Sequence, residues 1–275
     1  MSRSIVTSSS SSVVHAGPPR EVFCHYEPHG VFVPPEDPNA TIWRYLDFTK
    51  LVSLITTRQL FFSRVDTFDD PFEGSISEAT RIARREGYSE LDEDKREEML
   101  GHLRRHTETA PTRMYANCWN LSEVESAALW GLYVQPADGV AIRSTYSRLI
   151  ASVQAGPPTP DRPVAPLWVG KVAYIDYTDD FIPDDNSLYP FVHKRKSFEF
   201  ENELRAMTWN QSWKGLEKVS PIGLRVPVDL TRLVEAIYVA PTAPQWFASL
   251  VQSVVAHYGC PAPVYQSTLG DRPRY

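Results

Sequence analysis

The residues with the clearest capacity for chemistry lie between Ser197 and Met207, in the order Ser-Phe-Glu-Phe-Glu-Asn-Glu-Leu-Arg-Ala-Met. Apolar and charged side chains alternate there, and in a strand residues two apart share a face. The spacing predicts a strand that turns Phe198, Phe200, Leu204 and Ala206 toward a core and Glu199, Glu201, Glu203 and Arg205 to the other side. Carboxylates gathered on one face repel each other unless a positive charge sits among them. That charge can be salt and water, a metal ion or a bound ligand. A surface helix is the alternative, with Glu201 and Arg205 as a favourable i,i+4 pair and Glu199 and Glu203 as an unfavourable one.

Composition bounds what can surround such a site. The chain has 275 residues, 42% hydrophobic and 12% aromatic, enough for a sizeable core. Its net charge of −6 argues against a generally basic nucleic-acid binder, and the one dense basic run is His193-Lys194-Arg195-Lys196. Cys24, Cys118 and Cys260 are far apart and form no Cys-x-x-Cys pair. Neither a zinc site nor a disulfide framework is expected, which suits a reducing, cytoplasmic setting. Cys118 reads as a small buried hydrophobe. The histidines show no metal-ligand spacing, so no metal site is expected. No apolar run reaches the ~18 residues of a membrane span. Residues 1–19 are rich in serine without an apolar signal core, and read as a disordered tail.

Hydrophobic periodicity supplies the elements that must position the acidic segment. Residues 20–40, with Pro28, Pro34, Pro35 and Pro38, read as an irregular segment draped over the surface. Strands are expected over 41–46, 59–64, 114–120, 139–144, 167–177, 224–228 and 235–240. Asp47 is placed to cap a helix whose apolar stripe is Phe48, Leu51, Val52 and Ile55. Two charged helices, 78–86 and 90–106, form an insertion over 76–106 with a solvated face. Further helices are expected over 125–133, 146–153 and 244–258, the last with Trp246, Phe247, Leu250 and Val251 inward. A proline-rich loop covers 155–166. Strands and helices do not alternate regularly. The expectation is therefore an α+β fold, with a mixed, largely antiparallel central sheet and flanking helices, as one domain over 41–265.

Three blocks carry a resemblance. They run from Trp43-Arg44-Tyr45 through Leu60-Phe-Phe-Ser63 to Asp70-Pro-Phe-Glu73, from Cys118-Trp119 through Trp130-Gly-Leu-Tyr133 to Gly139-Val-Ala-Ile142, and over Glu201-x-Glu203-x-Arg205. Their order resembles the largely bacterial family catalogued as domain of unknown function twenty-nine seventy-one, over roughly residues 41–240, with 76–106 outside its blocks. More distantly the chain is similar in architecture to ADP-ribosyltransferases. These open with a strand bearing Arg or His, a helix and a strand bearing a small hydroxyl residue, and end on a glutamate strand. Arg44, Ser63 and Glu201-x-Glu203 stand in that order. The usual Ser-Thr-Ser element is missing, with Ser144-Thr145 the nearest echo, and there is no Gly-rich phosphate loop.

The second resemblance implies NAD as cofactor and a nucleotide ligand, with a macromolecular acceptor if the group is transferred. Cleaving nicotinamide from NAD develops positive charge on the ribose, which a nearby carboxylate stabilises. Glu203, with Glu201 beside it, would be catalytic. Arg44 would hold the pyrophosphate, Tyr45 or Trp130 would stack on the nicotinamide, and Ser63 would line the cofactor site. Two other classes stay open. Asp69, Asp70, Glu73, Glu201 and Glu203 could hold Mg²⁺ in a metal-dependent nuclease or hydrolase. An aromatic cleft could instead serve a non-enzymatic binding module.

Overall fold

A computed structural model describes residues 18–134, 138–153, 164–209 and 221–273. In chain order the elements are β1 (Arg20–Glu21), β2 (Cys24–Tyr26), β3 (Thr41–Asp47), α1 (Phe48–Thr57), β4 (Gln59–Arg64), α2 (Glu78–Gly87), α3 (Glu93–Thr109), β5 (Met114–Leu121), α4 (Ala127–Tyr133), β6 (Gly139–Thr145) and α5 (Tyr146–Ser152). They continue with β7 (Ala165–Lys171), β8 (Ala173–Ile175), β9 (His193–Arg195), β10 (Glu203–Trp209), β11 (Gly223–Pro227), α6 (Leu230–Leu233), β12 (Ala236–Val239), α7 (Gln245–His257) and β13 (Val264–Gln266). Eleven strands form one sheet, and β8 pairs with β9 in a second, two-stranded sheet. Most pairings in the large sheet are antiparallel, and helices flank it, so the fold is α+β. The serine-rich tail up to residue 17 and most of the proline-rich loop lie outside the described residues. Among the described residues no helix is long and apolar enough to cross a membrane.

The sheet forks at β5. One edge of β5 carries β10 along its whole length. The other edge is shared: β4 pairs with Tyr115 and Ala116, while β3 pairs with Asn120 and Leu121. Between them Asn117, Cys118 and Trp119 have no strand partner on that edge. Asn117 closes the gap with its side chain. Its Nδ2 donates to the Phe61 carbonyl at 2.8 Å, and its Oδ1 accepts from Trp119 Nε1 at 2.7 Å. A backbone carbonyl that the strand ladder leaves unserved at the fork is thereby satisfied.

Helix α1 forms where the stripe predicted it. Asp47 accepts from the Lys50 backbone N–H at 2.8 Å, and Arg58 ends the helix in the left-handed region at φ 55°. Its buried residues are Leu51, Leu54 and Ile55, with Leu54 taking the place expected for Val52. These pack with Phe247, Val251 and Val255 of α7 against one face of the sheet.

Four expectations need correction. Residues 197–207 are not one strand: Lys196–Glu201 is a 3₁₀ turn, Asn202 takes a left-handed conformation at φ 37°, and β10 begins only at Glu203. Phe200 is consequently half exposed and Glu199 faces solvent, so the face inferred from alternation holds only for Glu203 to Ala206. Residues 20–40 do more than drape, since β1 and β2 join the sheet and Cys24, Val31 and Phe32 are buried. Trp246 and Leu250 lie on the exposed side of α7.

The N-terminal segment crosses β7 where only glycine fits. A Cβ on Gly170 would stand 2.7 Å from the Phe32 backbone carbons. Backbone cannot swing aside as a side chain can. Gly170→Ala is expected to destabilise by roughly 1–3 kcal/mol or more, read as a lower denaturant midpoint at unchanged slope. An unaltered midpoint would show that residues 28–33 are not fixed against the sheet.

Candidate functional site

Glu203 and Arg205 project from the face of β10 opposite Leu204 and Ala206, and both are buried. Arg205 uses all five of its N–H groups. Nε and Nη2 donate to the two Glu203 carboxylate oxygens at 2.7 and 2.9 Å, Nη1 and Nη2 donate to Glu73 at 2.8 and 3.1 Å, and Nη1 also reaches the Phe191 carbonyl at 2.9 Å. Lys194 of β9 completes the arrangement. Its ammonium lies 2.6 Å from Glu201, 3.4 Å from Glu203 and 3.5 Å from Glu73. Tyr133 at the end of α4 donates to the second Glu201 oxygen at 2.7 Å. One network thus ties together β9, β10, α4 and the loop before α2.

The charges answer to this geometry. Burial works to raise the Glu203 carboxyl, but the Arg205 guanidinium, assisted by Lys194, outweighs it and holds the group at about 2. Burial works against the Lys194 ammonium, and Glu203, Glu73 and Glu201 together push it up instead. The Cys118 thiol lies beside Glu203, and burial with that carboxylate pushes it far above its ordinary value. A thiol held protonated is no nucleophile.

The sequence-derived candidates fall into separate groups. Glu201 and Glu203 meet through Lys194. Tyr45 and Trp130 also meet, edge to face with centroids 5.1 Å apart, but they fasten α4 to the sheet. Tyr45 Oη accepts from the Ser126 backbone N–H at 2.6 Å, and Trp130 Nε1 donates to Glu125 at 2.9 Å. Trp130 is buried, so its ring offers no stacking platform. Ser63 is half-buried on β4, opposite Ala116, on the same sheet face as Arg205. Arg44 shares a face of β3 with Ile42 and Leu46, which is the sheet face opposite Arg205, and lies over the Trp119 ring at 5.9 Å.

Arg44 differs from every other cation of the region. Among the described residues it makes no ion pair and no hydrogen bond, and its Nη1 is buried without a partner. Asp47, three residues along the same strand, pairs with Lys50 instead. Burial lowers the Arg44 guanidinium to about 10. The residue remains partly exposed.

Of the five carboxylates suited to Mg²⁺, Glu73, Glu201 and Glu203 do gather, but around Lys194 and Arg205. Asp70 pairs with Arg195 at 2.7 Å, and Asp69 is exposed. Among the described residues no group of three His, Cys, Asp or Glu is arranged to hold a metal ion. Outside the network runs an open groove of about 530 Å³ between Phe72, Ile175, Tyr177 and Arg195, with the Arg195 guanidinium 4.5 Å from the Phe72 ring. It does not reach Glu203.

Lys194, Asn120 and Tyr133 are the residues that sequence reasoning did not select. Lys194 carried a signal, since it opens the only dense basic run, seven residues before Glu201. Tyr133 closes the Trp130-Gly-Leu-Tyr133 block but was given no role there, and Asn120 carried no signal. No protein-family model matches the chain, and no curated protein matches it.

Proposed function

We propose that this chain binds a nucleotide at the fork of its sheet, with Arg44 holding the phosphate groups and NAD as the first ligand to test. One observation carries the reading: among the described residues Arg44 is a largely buried guanidinium with no ion pair and no hydrogen bond, whereas Arg64, Lys194 and Arg205 are each paired with carboxylates. Burying an unpaired charge is costly, and such groups are kept where an anion completes them. A guanidinium matches a phosphate bidentately, and Trp119 beneath it limits its motion without supplying the missing charge.

The reading is of a binding module first. Both Glu203 oxygens are engaged by Arg205, so this carboxylate is not free to meet a ribose. Glu201 is likewise engaged on both oxygens, by Lys194 and Tyr133, and lies on the opposite sheet face from Arg44, so the geometry favours binding over cleavage of NAD. Titration calorimetry in EDTA with NAD, ADP and pyrophosphate tests the proposal. Arg44→Gln is expected to weaken binding at least tenfold, about 1.4 kcal/mol. Its melting temperature should hold or rise, because an unpaired buried charge has been removed. Equal binding by the variant, or no binding by the wild type, rejects it. Nicotinamide release in the same samples separates an enzyme from a binding module.

A further inference from the structure

On the face opposite Arg44 the buried network is short of one positive charge. Among the described residues Glu73, Glu201 and Glu203 are met by the cations Lys194 and Arg205 alone. The Asp70–Arg195 pair beside them is neutral in sum. Beside Glu201 stands a second unfulfilled group. Asn120 is 8% exposed, and its Nδ2 donates to the Glu201 backbone carbonyl at 2.7 Å. The reverse amide orientation would set two oxygens against each other. The atom left over is therefore Oδ1, a buried acceptor without a partner. A buried acceptor left unpaired costs about 1–3 kcal/mol. Outside it, Tyr133 and Phe200 are 52% and 50% exposed although each flanks a buried carboxylate turn.

We infer that the space between α4 and the Lys196–Glu201 turn is a binding site for a protonated primary amine on a short aliphatic chain. The ammonium brings the missing charge and three N–H donors. Asn120 Oδ1 accepts one, and the Glu201 oxygens, each with a free lone pair, accept the others. The Tyr133 and Phe200 rings cover the alkyl stem and favour the cation over their faces. The local potential agrees with this sign, since burial and then Glu201 push the Tyr133 hydroxyl far above its ordinary value. A bare divalent ion does not fit, because Lys194 already occupies the centre of the carboxylates. The site lies on the opposite sheet face from Arg44 and does not rest on the nucleotide reading.

The test is calorimetric titration of the full chain with n-pentylammonium chloride and with 1-pentanol, its neutral analogue, at fixed ionic strength. One saturable site for the amine is expected, with the alcohol at least tenfold weaker. Phe200→Ala changes only an exposed ring. It should weaken the amine several-fold at an unchanged melting temperature, and Glu201→Gln should weaken it at least tenfold. Arg44→Gln should leave amine binding as it is. Equal binding of amine and alcohol, no saturable amine binding, Phe200→Ala binding as the wild type does, Mg²⁺ displacing the amine at equal concentration, or loss of the amine in Arg44→Gln would each overturn the inference. Should Glu201→Gln fail to fold, Phe200→Ala and the alcohol comparison decide.

Discussion

Glu203→Gln is expected to lower the melting temperature of the protein well before any question of activity arises. The substitution keeps the shape of the side chain but takes away one of the two carboxylates that hold Arg205. Arg205 is fully buried and cannot turn to water. Its guanidinium would keep Glu73 and the Phe191 carbonyl while facing an amide whose NH₂ group has nothing to donate to there. Breaking one side of a buried pair costs roughly 3–5 kcal/mol. At about 2–4 °C per kcal/mol for a chain of this class, that is a fall of roughly 6–20 °C. Arg205→Met should be at least as damaging, because it leaves Glu73 and Glu203 facing each other across an apolar stem. In a double-mutant cycle the two losses should not add, since each single variant already abolishes the same bonds. A Glu203→Gln protein that melts with the wild type would show that the network does not hold the fold together.

That expectation reverses the role that alternation gives to Glu203 in the sequence, and the reason is physical. Period-two patterning locates a strand and its faces, and it served for Glu203 to Ala206. It cannot say whether the polar face meets water or a second layer. Here β9, the 3₁₀ turn and the loop before α2 cover that face, so the carboxylates are structural partners of Lys194 and Arg205. The start of the strand was misplaced for a related reason. Phe198 and Phe200 continue the alternation by residue type, but Asn202 in the left-handed region breaks the chain direction one residue before Glu203. Asn tolerates that conformation better than most residues, and a single Asn is a weak signal beside two phenylalanines. Elements set by local chemistry were legible. Asp47 capping α1, the β4 limits at Gln59 and Arg64, and the β5 start at Met114 all follow from caps and apolar runs. Short strands that exist only through their partners, such as β1, β2 and β13, were not. At the site, Arg44 stands out in sequence by its place in a strand, but its lack of a counter-charge is a property of the fork. Asn120 became notable only once its amide was seen to be spent on Glu201.

Acid unfolding should proceed in two stages that belong to different residues. His193 is half-buried at the start of β9, and its Nδ1 donates to the Tyr189 carbonyl at 2.7 Å. Burial lowers its affinity for a second proton. A histidine whose folded value lies below its unfolded value, about 6.5, stabilises the fold above that pH and loses the contribution as pH falls. Glu203 follows the same sign with a larger shift. Burial raises its carboxyl, but Arg205 prevails and holds it at about 2, against roughly 4.3 in an unfolded chain. Its contribution is fully present above about pH 4.3 and is lost progressively toward pH 2, a loss on the order of a few kcal/mol. Lys194, shifted upward, acts only at alkaline pH and does not enter. The melting temperature should therefore begin to fall gently as pH drops below about 6.5 and more steeply below about pH 4.5. His193→Asn places an amide near the Nδ1 position and cannot be protonated, so it should flatten the first stage and leave the second. Glu203→Gln should start lower at neutral pH and lose much of the second stage, because the carboxylate that drives it is gone. A single steep transition in the wild type, or an acid limb identical in Glu203→Gln, would mean that the surface carboxylates and not the buried network set the acid stability of this fold.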